Sequence, residues 1–162
     1  MKVSASKSIL RDLYYLSMPP DCISNAKKYL TFKKAVGVAI KDFIDARDKI
    51  VSEFDKEMAE LKNIFKGKLD LEKNKDKKQE LNQEFAKLQS EAVAEVNAKI
   101  EKLRVDTGDD EIEVTFDNEA FNSVKLDIEN GATKLFVVRT QDGKEVFNEE
   151  QAQMFFDFFE KK

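Results

Sequence analysis

Residues 81–103 read LNQEFAKLQSEAVAEVNAKIEKL, and Leu81, Phe85, Leu88, Ala92, Val96, Ile100 and Leu103 recur there at steps of three and four. This is the α-helical period, which gathers seven apolar side chains into one stripe and leaves Glu, Lys, Gln and Asn to water. A helix with one stripe has to bury it against another element. The partner stripe lies upstream, where Val36, Ile40, Phe43, Ile50, Phe54, Leu61 and Phe65 (or Ile64) repeat at intervals of three, four and seven. Arg47 and Glu57 or Met58 interrupt its heptads, so the pattern is helical packing rather than a leucine zipper. Between the stripes, Lys68 to Glu80 is charged and nearly free of apolar residues, which predicts the tip of a hairpin. Gly67 fits a C-terminal helix cap just before it. Two such helices side by side would reach some 35–50 Å at roughly 1.5 Å per residue.

Upstream, Ile9, Leu10, Leu13 and Leu16 predict a short helix over 6–17, stopped by Pro19-Pro20. Asp21 or Ser24 can cap the next helix, which the stripe carries to about Lys66. Downstream the period changes. After a turn at Asp106-Thr107-Gly108-Asp109-Asp110, the alternation of Ile112, Val114 and Phe116 with Glu111, Glu113 and Thr115 predicts a half-buried strand. Val124, Leu126 and Ile128 alternate likewise and lead into Asn130-Gly131, a strong hairpin-turn dipeptide. Leu135-Phe136-Val137-Val138 then reads as a more fully buried strand, and Asp142-Gly143 as a second turn into Val146-Phe147. Asn148 with Gln151 makes a capping box for a last helix, from Glu149 to about Glu160. The expected fold is α+β: a long antiparallel helical hairpin with a small antiparallel β-meander and a C-terminal helix. Residues 1–105 would form the N-terminal helix and hairpin, and 106–162 the meander with its helix, packed as one unit.

Composition narrows function by exclusion. The 162 residues fit one domain, and 37% charged residues against 41% hydrophobic ones suits long amphipathic helices. The net charge of −4 argues neither for nucleic acid nor for a membrane. No run approaches the roughly 18 consecutive apolar residues of a membrane span. Met1-Lys2-Val3-Ser4-Ala5-Ser6 lacks the basic-then-apolar pattern of a signal peptide. Cys22 stands alone and can form no internal disulfide, which suits a reducing compartment. These features point to a cytoplasm, or to a particle assembled there. The absence of His removes Ser–His–Asp and Cys–His catalysis and nearly all zinc sites. Asp106, Asp109 and Asp110 lack the twelve-residue spacing of a calcium loop. No enzyme activity, metal or cofactor is expected.

Two features remain as candidate sites. Residues 62–78 hold seven Lys against Asp70, Glu72 and Asp76, so Lys66, Lys68, Lys73, Lys75, Lys77 and Lys78 form a basic patch at the hairpin tip. Such a patch either contacts phosphate or an acidic protein surface, or simply keeps the tip soluble. The lack of Arg and of interleaved aromatics there weighs toward the second. The other feature is the terminal helix, where Met154, Phe155, Phe156, Phe158 and Phe159 crowd together. Ala152, Phe155, Phe156 and Phe159 share one face and Met154 and Phe158 flank it. That surface either docks the helix within its own fold or serves as an exposed anchor for a partner subunit.

Ala26-Lys27-Lys28-Tyr29-Leu30, then Ala35, Ile40 and Phe43, then Ala46-Arg47-Asp48-Lys49-Ile50-Val51-Ser52-Glu53-Phe54 resemble the long helix of a family of short uncharacterised tailed-phage proteins. Glu111-Ile112-Glu113-Val114 resembles that family's short strand, and Asn148-Glu149-Glu150-Gln151 through Phe159 its terminal helix. The chain departs from the pattern by an inserted hairpin between Val124 and Phe147. The family is associated with phage structural and assembly regions and has no recognised active site. The resemblance therefore implies a non-catalytic structural or assembly protein, whose partners are further copies of itself or other virion and assembly proteins. A looser similarity of element order links the chain to the phage Gam nuclease inhibitors. It implies the alternative, an inhibitor or binding module (anti-defence or Gam-like) acting on DNA or on a nucleic-acid enzyme.

Overall fold

A computed structural model describes residues 1–108 and 110–161. They form strand β1 (Lys2–Ser6), helices α1 (Lys7–Tyr15), α2 (Ala26–Ala39), α3 (Lys41–Leu71) and α4 (Lys75–Asp106), strand β2 (Glu111–Thr115), helix α5 (Asn118–Leu135), strands β3 (Val137–Arg139) and β4 (Glu145–Phe147), and helix α6 (Glu149–Glu160). The chain is α+β, with a long helical hairpin, small antiparallel sheets and a C-terminal helix. It divides into two compact units, one made of residues up to Lys41 together with those from Thr107 onward, the other of Asp42–Asp106. The N-terminal helix therefore groups with the C-terminal elements and not, as its place in the sequence suggests, with the hairpin.

In the first unit β1 pairs antiparallel with β2, Lys2 opposite Thr115 and Ser6 opposite Glu111. Alternation puts Val3, Ala5 and Val114 on the buried face and Lys2, Ser4 and Glu113 in solvent. Ser6 then caps α1, its hydroxyl accepting from the Ile9 N–H at 3.4 Å. Asn25, rather than Asp21 or Ser24, caps α2 by accepting from the Lys28 N–H at 3.0 Å. The core is aromatic. Phe32 of α2 stacks on Phe116 at 5.0 Å, and Phe121 of α5 meets Phe159 of α6 at 5.0 Å. A second group gathers around Phe136, whose ring lies 5.3 Å from that of Phe155.

The segment read as a second strand and turn is helix instead. Asp117 caps α5, accepting from the Ala120 N–H at 2.8 Å. Its buried residues Ala120, Phe121, Val124, Asp127, Ile128 and Gly131 follow the helical period. An alternating strand would bury Leu126 with Val124 and Ile128, yet Leu126 is 53% exposed. Asn130-Gly131 makes no turn. Gly131 permits a close approach: a Cβ there would sit 3.2 Å from the Cys22 Sγ, so that side chain would have to give by a few tenths of an ångström. The sheet is thus no meander: β1–β2 and β3–β4 are separate two-stranded ribbons. Asp142-Gly143 does make its turn between β3 and β4, and Gly143 takes a left-handed φ of 80°. The segment from Val124 to Phe147, expected as an inserted hairpin, is accordingly most of a helix followed by a short β-hairpin.

In the second unit α3 and α4 pack together as an antiparallel hairpin. Phe65 meets Phe85 near the tip at 5.4 Å, and Ile50, Phe54 and Glu57 face Ala92, Val96 and Lys99 further down. Upstream, the helix of residues 26–71 is interrupted once. Ile40, at φ −111° and ψ 26°, separates α2 from α3. Gly67 does not cap α3, which runs on four residues to Leu71. The expected turn at Asp106–Asp110 includes Asp109, which lies outside the described residues.

Candidate functional site

The hairpin is the element with unsatisfied surface. Along α3 Met58 and Phe65 are buried, but Ile50, Phe54 and Leu61 are half-buried. Among its described residues α4 buries no side chain fully, and all seven stripe residues from Leu81 to Leu103 are half-exposed. Each stripe meets a single facing helix, so both of its edges stay open to water. Ile64, Leu71, Val93 and Val105 add exposed apolar surface on the same two helices.

At the tip, Lys66, Lys68, Lys73, Lys75, Lys77 and Lys78 are all exposed. The geometry there is fixed by two side chains. Asn74 Oδ1 accepts from the Asp76 and Lys77 N–H groups at 2.9 and 3.2 Å and so caps α4. Glu72 accepts from the Asn74 N–H at 2.8 Å, and this bond, with Lys77 and Lys78 nearby, holds its carboxyl below the usual glutamate range. The ammonium of Lys68 lies 4.8 Å from the centre of the Phe65 ring. Lower on the hairpin, Lys99 donates to Glu95 at 2.7 Å and also feels Glu57 and Glu53 of α3. Those carboxylates keep its ammonium protonated to higher pH than usual.

The aromatic helix is placed differently from an exposed anchor. Phe155, Phe158 and Phe159 are buried at 0%, 1% and 4% exposure, and Met154 and Phe156 are half-buried. The Phe158 ring is surrounded by Phe116, Phe121 and Phe159 at 6.1, 5.9 and 5.0 Å. Phe155, Phe158 and Phe159 belong to the first unit's own core, which corrects their reading as a partner-binding surface; Met154 and Phe156 keep part of their surface open.

Two features of the first unit depart from the sequence reading, one unsignalled and one read as buried. Asp127 is buried and accepts the Ser24 N–H with both carboxylate oxygens, at 3.2 Å each, tying α5 to the turn before α2. A shallow cavity of about 230 Å³ beside it is lined by Asp21, Cys22, Asn130 and Lys134, with Asp21 and Lys134 ion-paired. The second feature is the β3–β4 ribbon, where Val137, Val138, Val146 and Phe147 are exposed rather than buried. The apolar residue of that stretch that enters the core is Phe136. A two-stranded ribbon with no second layer has nothing to cover its Val side chains.

Among the described residues no group of three or more His, Cys, Asp or Glu is placed to hold a metal ion. No described helix is long and apolar enough to cross a membrane. No protein-family model matches the chain, and neither does any curated protein sequence or solved structure.

Proposed function

We propose that this chain is a non-catalytic structural or assembly protein of the tailed-phage type, acting through protein–protein contacts in which the α3–α4 hairpin is the contact arm. The half-open seam carries this reading. Helices of 31 and 32 residues whose apolar stripes stay half in water gain stability from any surface that covers them, and protein supplies such a surface at close packing. The resemblance of residues 26–54, 111–114 and 148–159 to phage structural-region proteins supports the same class. The absence of His leaves few routes to general acid–base chemistry near neutrality. Solution mass by light scattering, at low and at high salt, tests it. A salt-insensitive oligomer supports burial of the apolar seam between chains, and a monomer at both salts contradicts it.

One observation favours a second reading. Six exposed Lys at the hairpin tip suit an anionic partner, so the chain would bind DNA or inhibit a nucleic-acid enzyme. That reading requires binding to duplex DNA, or to such an enzyme, that weakens steeply with salt and is lost on replacing Lys73, Lys75, Lys77 and Lys78 by Gln.

A further inference from the structure

We infer that the hairpin pairs with the hairpin of a second copy of this chain, side by side and antiparallel, so that the tip of each lies beside the root of the other. This rests on the reading of the chain as a protein that works by oligomerisation, and it names the partner and the surface.

Three observations on the hairpin converge. The first is the open seam. Its half-buried apolar residues run from Ile44 to Leu69 on α3, interrupted by the buried Met58 and Phe65, and from Leu81 to Leu103 on α4, so the uncovered surface follows the hairpin along most of its length. The second is size. Two helices of about 31 residues span roughly 45 Å, and side by side they are nearly 20 Å wide. One such face offers on the order of 800 Å² to a partner, the per-partner area of a standard stable interface.

The third observation is charge, and it sets the direction. From the root of α3 to just past its middle, residues 42–60 hold Asp42, Asp45, Asp48, Glu53, Asp55, Glu57 and Glu60 against Arg47, Lys49 and Lys56. The tip segment, residues 62–78, holds seven Lys against three acids. These net charges, −4 and +4, are opposite; the positive one is confined to the tip, and the negative one begins at the root with Asp42, Asp45 and Asp48 and runs past the middle of α3. The remaining α4 residues, 79–106, carry six acids and four bases. A parallel pair would set Lys beside Lys at the tips and carboxylate beside carboxylate at the roots. An antiparallel pair sets each Lys-rich tip beside an acidic root, with a two-fold axis near the middle of the hairpin. The basic tip thus has a use within the assembly that requires no nucleic acid.

Distances between spin labels on the full chain test this, in a Cys22→Ser background with labels on Lys75→Cys near the tip and Asp48→Cys near the root. Within one chain these two sites are separated by some 35–40 Å of helix. The antiparallel pair predicts a 75-to-75 distance of roughly 45 Å between protomers. In dimers mixed from the two singly labelled variants it predicts a 48-to-75 distance below about 25 Å. Changing Lys73, Lys75 and Lys77 to Glu is expected to weaken the dimer by roughly tenfold at low salt. Adding a second variant with Asp42, Asp45 and Asp48 changed to Lys is expected to restore pairing as a heterodimer. A dimer whose 75-to-75 distance falls below about 25 Å overturns the antiparallel arrangement while leaving the oligomeric reading intact. A dimer in which neither pair of labels comes within about 40 Å assigns the contact to another surface and likewise overturns this inference alone. A chain that stays monomeric overturns both.

Discussion

If Phe158 belongs to the first unit's core, Phe158→Ala must unfold that unit without first dissociating an assembly. The side chain is 1% exposed and faces the rings of Phe116, Phe121 and Phe159 at 5.0–6.1 Å. Truncating a buried Phe costs about 3–5 kcal/mol, the spread reflecting how far the surroundings collapse into the void. Three rigid aromatic neighbours drawn from β2's exit, α5 and α6 itself collapse poorly, which places the cost in the upper half of that range. A unit of roughly 100 residues has a total stability of about 5–15 kcal/mol and loses some 4–8 °C of Tm per kcal/mol. The expected shift is therefore at least about 16 °C, and in a marginal background the unit does not fold at all. The chain has no Trp, so urea unfolding followed by circular dichroism at 222 nm is the convenient assay, with Phe156→Ala as the comparison. Phe156 is half-buried and meets Phe136 at 6.3 Å, so its truncation should cost roughly half as much. A Phe158→Ala loss below about 1 kcal/mol, accompanied by a fall in solution mass, would refute the core assignment and restore the anchor.

Three smaller changes test the hairpin. Gly67 lies inside α3 with nothing within 4 Å of an added Cβ, so Gly67→Ala should stabilise the hairpin by about 0.5–1 kcal/mol in thermal unfolding. A Gly that capped the helix in a left-handed conformation would instead lose stability. Asn74→Ala removes two bonds to α4's first turn and should cost about 1 kcal/mol, seen as faster hydrogen exchange at Asp76 and Lys77. Glu72 should titrate, by NMR of its side-chain carboxyl, below the ordinary glutamate value of 4.5. Because its folded pKa is depressed, its contribution to the tip is present above its unfolded value. That contribution disappears as pH falls through the lowered one, and Glu72→Gln removes it at every pH.

What the sequence made legible was the hairpin, because each stripe repeats locally over about six turns or more and the Lys-rich tip contains almost no competing apolar residue. What it hid depended on distance. Lys2–Ser6 is a strand because it pairs with Glu111–Thr115, more than 100 residues away, and five residues without a turn give no local sign of it. Val124, Leu126 and Ile128 satisfy an alternating pattern, but Ala120, Phe121, Val124 and Ile128 satisfy the helical one as well. The surrounding Phe32 and Phe159, which cover one side of that helix, decide between the two. Asn130-Gly131 mimics a turn while its glycine answers to the nearby Cys22. The aromatic terminal helix showed that it needed burial but not where, since Phe32, Phe116 and Phe121 come from three separate segments. The break at Ile40 had no warning, because the apolar stripe passes through it unbroken.

The seam itself can be observed by amide hydrogen exchange at rising protein concentration, read separately for residues 81–103 and for the first unit's core amides on α5. If the hairpin is completed by another copy of the chain, protection along 81–103 rises with concentration while that of α5 stays fixed. Protection along 81–103 that is the same at all concentrations would contradict it, and would mean that two helices alone are the finished structure.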